Sequence, residues 1–146
     1  MSSLLISIFS AVLFTYWFRY TCGLILRAHD NEAVATEQAR MNHLNFPDIR
    51  LKLRSHVGDL ALAPLHGLVE RDYQFLRFLV RHTSRSGMET LETRIVMMDY
   101  HVMRVWYLAM LHVSRSQARK ALEEMTGIVD YLAQKIGEHA TSFLEA

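Results

Sequence analysis

No charged side chain precedes Arg19. Ser2–Phe18 (SSLLISIFSAVLFTYWF) is dominated by Leu, Ile, Phe and Val. As a helix rising 1.5 Å per residue it reaches about 26 Å, near the lower limit for a hydrocarbon core of about 30 Å. A second apolar run, Tyr20–Leu26, follows Arg19. Tyr16, Trp17 and Tyr20 cluster around Arg19, and aromatic rings and snorkelling arginines favour the lipid–water boundary. The pattern predicts one uncleaved transmembrane anchor over residues 1–26, with a membrane surface near residues 17–20. A cleaved signal peptide needs a basic start and an A-x-A-like site, and this segment has neither. Arg19 and Arg27 lie on the C-terminal side, so the positive-inside rule places the bulk of the chain in the cytoplasm.

The next stretch changes character. Ala28–Leu44 is rich in Ala, Glu, Gln, Arg and Met, all good helix formers. It predicts a stalk helix within residues 27–47, broken by Asn45-Phe46-Pro47. Its apolar stripe is weak, which suits a stalk that is partly solvated or covered by a partner. Residues 48–63 predict a short helix. Pro64 fits the first turn of a helix running to about His82. Ser86-Gly87-Met88-Glu89 reads as a capping box opening a helix to about Val113, and Ser114-Arg115-Ser116-Gln117 reads the same way for a last helix to about Leu144. Strand-like alternation is absent over any useful length. Short loops predict antiparallel neighbours. The expected fold is all-α: a single N-terminal transmembrane helix followed by a small antiparallel bundle of three to four helices over residues 48–146.

The last helix carries a clear stripe of Leu122, Met125, Val129, Leu132, Ile136 and Phe143, with Arg119/Glu123 and Lys120/Glu124 outside it. Ile95–Val113 is more apolar. Its strongly polar positions are Asp99, His101, Arg104 and His112. Those ionisable groups argue against a second span, so it reads as the central helix of the bundle.

A short pattern recurs on three helices. Asp72-Tyr73 and Asp99-Tyr100 each precede an arginine (Arg77, Arg104) and an apolar residue at the same spacing, and Asp130-Tyr131 precedes Lys135 and Ile136. On a helical wheel Asp72 and Asp99 point to the apolar side, and Asp130 lies at its edge. Asp72 and Asp99 should sit at one level, about 20 Å from the intervening turn. Close carboxylates can share a proton or bind a cation. The structural alternative pairs each aspartate with an Arg, a Tyr or a backbone donor, since buried charges need partners. Arg77 and Arg104 lie on the wrong faces, so such a partner must come from another helix. No Glu-x-x-His occurs, which counts against a ferritin-type di-iron site.

Composition narrows the function further. The chain has 146 residues, enough for one domain, with 51% hydrophobic and 21% charged residues. A net charge of +1 argues for no nucleic-acid partner. One cysteine, Cys22, excludes an intrachain disulfide or a multi-cysteine metal site. Among eight histidines, His66 and Glu70 are four apart and form a candidate metal-ligand pair, although the wheel places them on the solvated outer face. His101 and His112 share a stripe on which one can ligate haem. Arg77, Arg81 and Arg85 form an i, i+4, i+8 stripe suited to acidic lipid or an acidic protein face, and Arg40, Arg50, Lys52 and Arg54 add a second basic cluster. No phosphate loop, nucleophile elbow or zincin motif is present. The sequence predicts no resident cofactor; metal or haem is the chemistry its Asp and His positions would support. The expected function is a non-enzymatic accessory or assembly subunit of a membrane complex, with the bilayer and a protein or a second copy as partners. The alternative is a membrane-tethered sensor of a metal, haem or small ligand.

Overall fold

The computed structural model describes residues 2–28, 40, 42–55, 61–83 and 90–145. Among them are five helices and no strand: α1 (Ser2–Ala28), α2 (Phe46–Arg54), α3 (Leu62–Thr83), α4 (Leu91–Met110) and α5 (Arg115–Glu145). Of the expected stalk, residues 29–39 and 41 lie outside the described set, and residues 42–45 form a turn and a short link, not helix.

Helix α1 is long and apolar enough over Ser2–Arg27 to cross a membrane, and its most apolar window is nowhere buried by the protein. Leu4, Leu5, Ile6, Ile8 and Phe9 all stand exposed. Side chains of this kind favour an apolar surrounding, which the other described residues do not give them. The second half differs. Cys22 is buried, and Ile25 and Leu26 pack against the core.

Asn45-Phe46-Pro47 is where α2 begins. Pro47 occupies its first turn, where a missing N–H breaks no intrahelical bond. Asp48 in the first turn and Lys52 and Arg54 in the last complement the helix dipole. Phe46, Ile49 and Leu53 recur at steps of three and four and are all buried. Helix α3 starts just ahead of Pro64 and turns Leu65, Val69, Tyr73, Leu76 and Val80 inward.

Helix α4 opens at Thr90, not at Ser86. The Thr90 hydroxyl accepts the backbone N–H of Thr93 at 3.3 Å, satisfying one orphan donor of the first turn. The proposed box at Ser86–Glu89 lies outside the described residues. The helix also ends early, at Met110, and residues 111–113 form a turn into α5.

Helix α5 packs against each of the other four helices. Ala118, Ala121 and Ala133 let neighbours approach closely, while Leu122, Met125, Ile128, Val129 and Leu132 fill the contacts. Ile136 packs half-buried beside them; the side chain of Phe143 lies outside the described set. The central helix is therefore α5, which corrects the expectation that Ile95–Val113 occupies the centre. Helix α4 buries Val96, Tyr100, Met103 and Tyr107, yet leaves Met98, Val102, Val105, Trp106 and Leu108 exposed. An apolar circumference reads as burial only when protein supplies the contact on every side. Helices α3 and α4 meet through long side chains, not at the backbone.

Candidate functional site

Asp72, Asp99 and Asp130 are 1%, 2% and 4% exposed. Each holds a donor from the first 50 residues of the chain. On α3, Asp72 accepts the backbone N–H of Asn45 at 2.6 Å on one oxygen and the Asn45 side-chain amide at 3.3 Å on the other. It thus caps the start of α2 from a different helix, taking up free amide donors at the positive end of the helix dipole. Burial pushes its carboxyl above the ordinary carboxylate range, and the Asn45 hydrogen bonds hold it back in part. On α4, Asp99 takes the Arg19 guanidinium at 2.6 Å, and the Cys22 thiol donates to the same carboxylate. Arg19 also reaches Glu124 on α5. Burial again raises the Asp99 carboxyl, against the pull of Arg19. On α5, Asp130 accepts Arg50 at 2.7 Å.

These three pairs form a fastening system. Asp99 ties α1 to α4, Asp72 ties the head of α2 to α3, and Asp130 ties the body of α2 to α5. The two ion pairs among them, Arg19–Asp99 and Arg50–Asp130, add little net stability, because desolvation consumes most of the attraction, but removing one partner of either is costly. The aspartates are committed separately. Among the described residues no three His, Cys, Asp or Glu side chains converge on a position that can hold a metal ion.

The membrane-surface group divides. Tyr16, Trp17 and Tyr20 project outward, while Arg19 is only 29% exposed and turns to the two carboxylates. A buried aspartate without a cation costs several kcal/mol, which outweighs the gain from placing the arginine among headgroups (about 1 kcal/mol).

Helices α3 and α4 are joined by a ladder absent from the sequence reading. His66 stacks on Tyr107 with ring centres 4.5 Å apart, Glu70 pairs with Arg104 at 2.9 Å, and Tyr73 stacks on Tyr100 at 3.6 Å. His66 and Glu70 therefore face α4, which corrects their assignment to a solvated face. Burial lowers the His66 pKa, with Glu70 opposing. The Tyr73, Tyr100 and Tyr107 hydroxyls and His66 Nε2 are buried without a hydrogen-bond partner among the described residues. Burial raises the Tyr73 and Tyr100 phenols and pushes Tyr131 up to about 12. The signal for this ladder was present as matched spacing: 66, 70, 73 on one helix and 100, 104, 107 on the other, both at helical intervals.

His101 and His112 are exposed, and His101 Nδ1 bonds the Met97 carbonyl at 2.9 Å. Arg77 is half-buried and Arg81 exposed; Arg85 lies outside the described residues. A groove of about 400 Å³ runs between α3 and α4 past Tyr73, Arg77, Met98 and His101. A larger apolar hollow, about 660 Å³, separates α1 from α4.

The Cys22 thiol donates to the Asp99 carboxylate, which Arg19 also holds. The site is chemically a set of fasteners flanked by open apolar surface. Compared with protein-family models, with curated proteins and with solved structures, the chain matches none, so its functional reading rests on its own residues and geometry.

Proposed function

We propose that the chain is a single-pass membrane protein whose small antiparallel bundle, on the cytoplasmic side, serves as a non-enzymatic accessory or assembly subunit. The observation that carries this reading is the open apolar surface shared by α3 and α4. Met98 and Val102 are 61% and 41% exposed along the groove that they line with Tyr73 and His101, and Phe78 is 55% exposed elsewhere on α3. Grouped aromatic and methionine side chains on a folded domain mark a contact surface, and Met adapts to varied partners. Arg77 and Arg81 edge this surface, so an apolar helix face with acidic residues beside it is the complementary partner. The engagement of Asp72, Asp99 and Asp130 with Asn45, Arg19 and Arg50 also favours this role over ligand sensing, which would require those groups to release the donors they hold.

Native mass spectrometry of the full chain, gently extracted from its own membrane, tests the proposal. The expected spectrum contains an added protein mass or a second copy, and Phe78→Glu with Met98→Glu removes it. A monodisperse single chain, unchanged by those substitutions, overturns the proposal.

A further inference from the structure

The contacts along α1 fix how deep the bundle sits beside it. Leu26 and Arg27 lie with Gly127 and Asp130 of α5. Arg19 holds Asp99 and Glu124. Thr15 shares the large hollow with Trp106 and Ala109. Moving along α1 toward its N-terminus is therefore moving along α4 toward its C-terminus. Met110, the end of α4, lies about 16 Å beyond Asp99 along the helix axis. From Arg19 to Ser2, α1 itself extends about 26 Å, slightly less than a hydrocarbon core of about 30 Å. If α1 spans the bilayer with Ser2–Phe18 in lipid, the end of α4 and its turn into α5 are carried in beside it.

That turn has the composition such a position demands. Val102, Val105, Trp106, Leu108, Leu111 and Val113 are all exposed, Val113 at 77%. No acidic residue occurs between Asp99 and Glu123; of the basic side chains there, Arg104 is held by Glu70 and Arg119 by Glu123. Arg115 and Lys120 stand on the surface of the first turns of α5. An apolar tip carrying a tryptophan, with the exposed Lys120 on a flexible stem beside it, matches acyl chains along its length and an anionic phosphate that the lysine reaches by snorkelling.

We infer that the α4–α5 turn, with the last two turns of α4, inserts into the same leaflet that α1 enters, giving the protein a second lipid contact. The occupant of the exposed α4 tip is anionic phospholipid. The groove farther from the tip, at Tyr73, Met97 and Met98, stays available to a protein. This inference rests on α1 being a membrane anchor, and the two can be separated experimentally.

The chain contains two tryptophans, Trp17 and Trp106. Trp17→Phe leaves Trp106 as the reporter of the tip, and Trp106→Phe leaves Trp17 as the reporter of the anchor. Both residues are exposed, so neither substitution removes core packing. The full-length variants are reconstituted in phosphatidylcholine–phosphatidylserine vesicles whose acyl chains are brominated near the headgroup. The expected result is loss of emission from both tryptophans, with Trp106 protected from aqueous iodide. If Trp17 is quenched by the brominated lipid while Trp106 is quenched only by iodide, lipid insertion of the tip is overturned and the anchor stands. That outcome assigns the tip to a protein partner. If brominated lipid quenches neither residue, the anchor reading falls and takes the inference with it.

Discussion

Helices α4 and α5 are both rich in apolar residues, but they use them differently. On α5 the apolar positions form one stripe, and protein covers it: Leu122, Met125, Ile128, Val129 and Leu132 are buried against four neighbours. On α4 the apolar positions continue around the helix, and protein covers only the side of Val96, Tyr100, Met103 and Tyr107. A stripe with a polar back encodes its own burial. An apolar circumference encodes a need for a second apolar surface, without saying whether helix, partner or lipid provides it.

The strongest test of this contrast is truncation. Leu122→Ala should cost about 2–5 kcal/mol in denaturant unfolding of the detergent-solubilised chain, because it empties a fully enclosed site. Val105→Ala, at a side chain 68% exposed, should shift stability by no more than about 0.5 kcal/mol in the same assay. Equal losses at both positions would erase the distinction between the helices.

The fasteners sharpen it. Arg50→Ala leaves Asp130 of α5 buried without its cation and should cost about 2–3 kcal/mol, somewhat below a fully enclosed pair because Arg50 is 21% exposed. Adding Asp130→Asn should restore part of the loss, and a double-mutant cycle in urea measures how much. Strict additivity of the two substitutions would show that the pair is not coupled.

A smaller effect is expected at the start of α4. Thr90→Ala removes the hydroxyl that caps Thr93 and should cost about 1 kcal/mol, read from the unfolding midpoint, while Thr90→Ser should be nearly neutral.

The smallest concerns the seam between α3 and α4. Burial lowers the folded-state pKa of His66 below its ordinary value of 6.5, so the unfolded chain takes up the proton first. The stability from neutral His66 is complete above 6.5 and drains as pH falls from 6.5 through the lowered folded value. His66→Gln should flatten that part of a stability–pH curve, and an unchanged slope would mean that the His66–Tyr107 stack does not exclude the charged form.

Much of this architecture can be read along the chain. The charge-free run before Arg19 marks the apolar span of α1, and the step-of-three-and-four stripe marks α5. Pro64 marks the first turn of α3 because its ring geometry suits that position. Other features resist such reading. Ser86–Glu89 and Thr90 both offer a capping hydroxyl near the start of α4, and the observed start at Leu91 selects Thr90. His66 and Glu70 look solvated on a wheel because their own helix has a better apolar face; only the approach of α4 makes their side an interior seam. The partners of Asp72, Asp99 and Asp130 lie 27, 80 and 80 residues away, beyond the reach of any local pattern.

The sequence by itself determined the all-helical class, the apolar span of α1 and the inward direction of Asp72 and Asp99, because those follow from short-range periodicity and from the cost of exposing apolar groups. Tertiary structure decided that α5 is central, that Arg19 turns from headgroups to Asp99, and that α4 keeps an uncovered apolar side. Those outcomes depend on which helices meet. That choice is made by long-range packing and by the penalty for an unpaired buried charge, neither of which is written in any local stretch of residues.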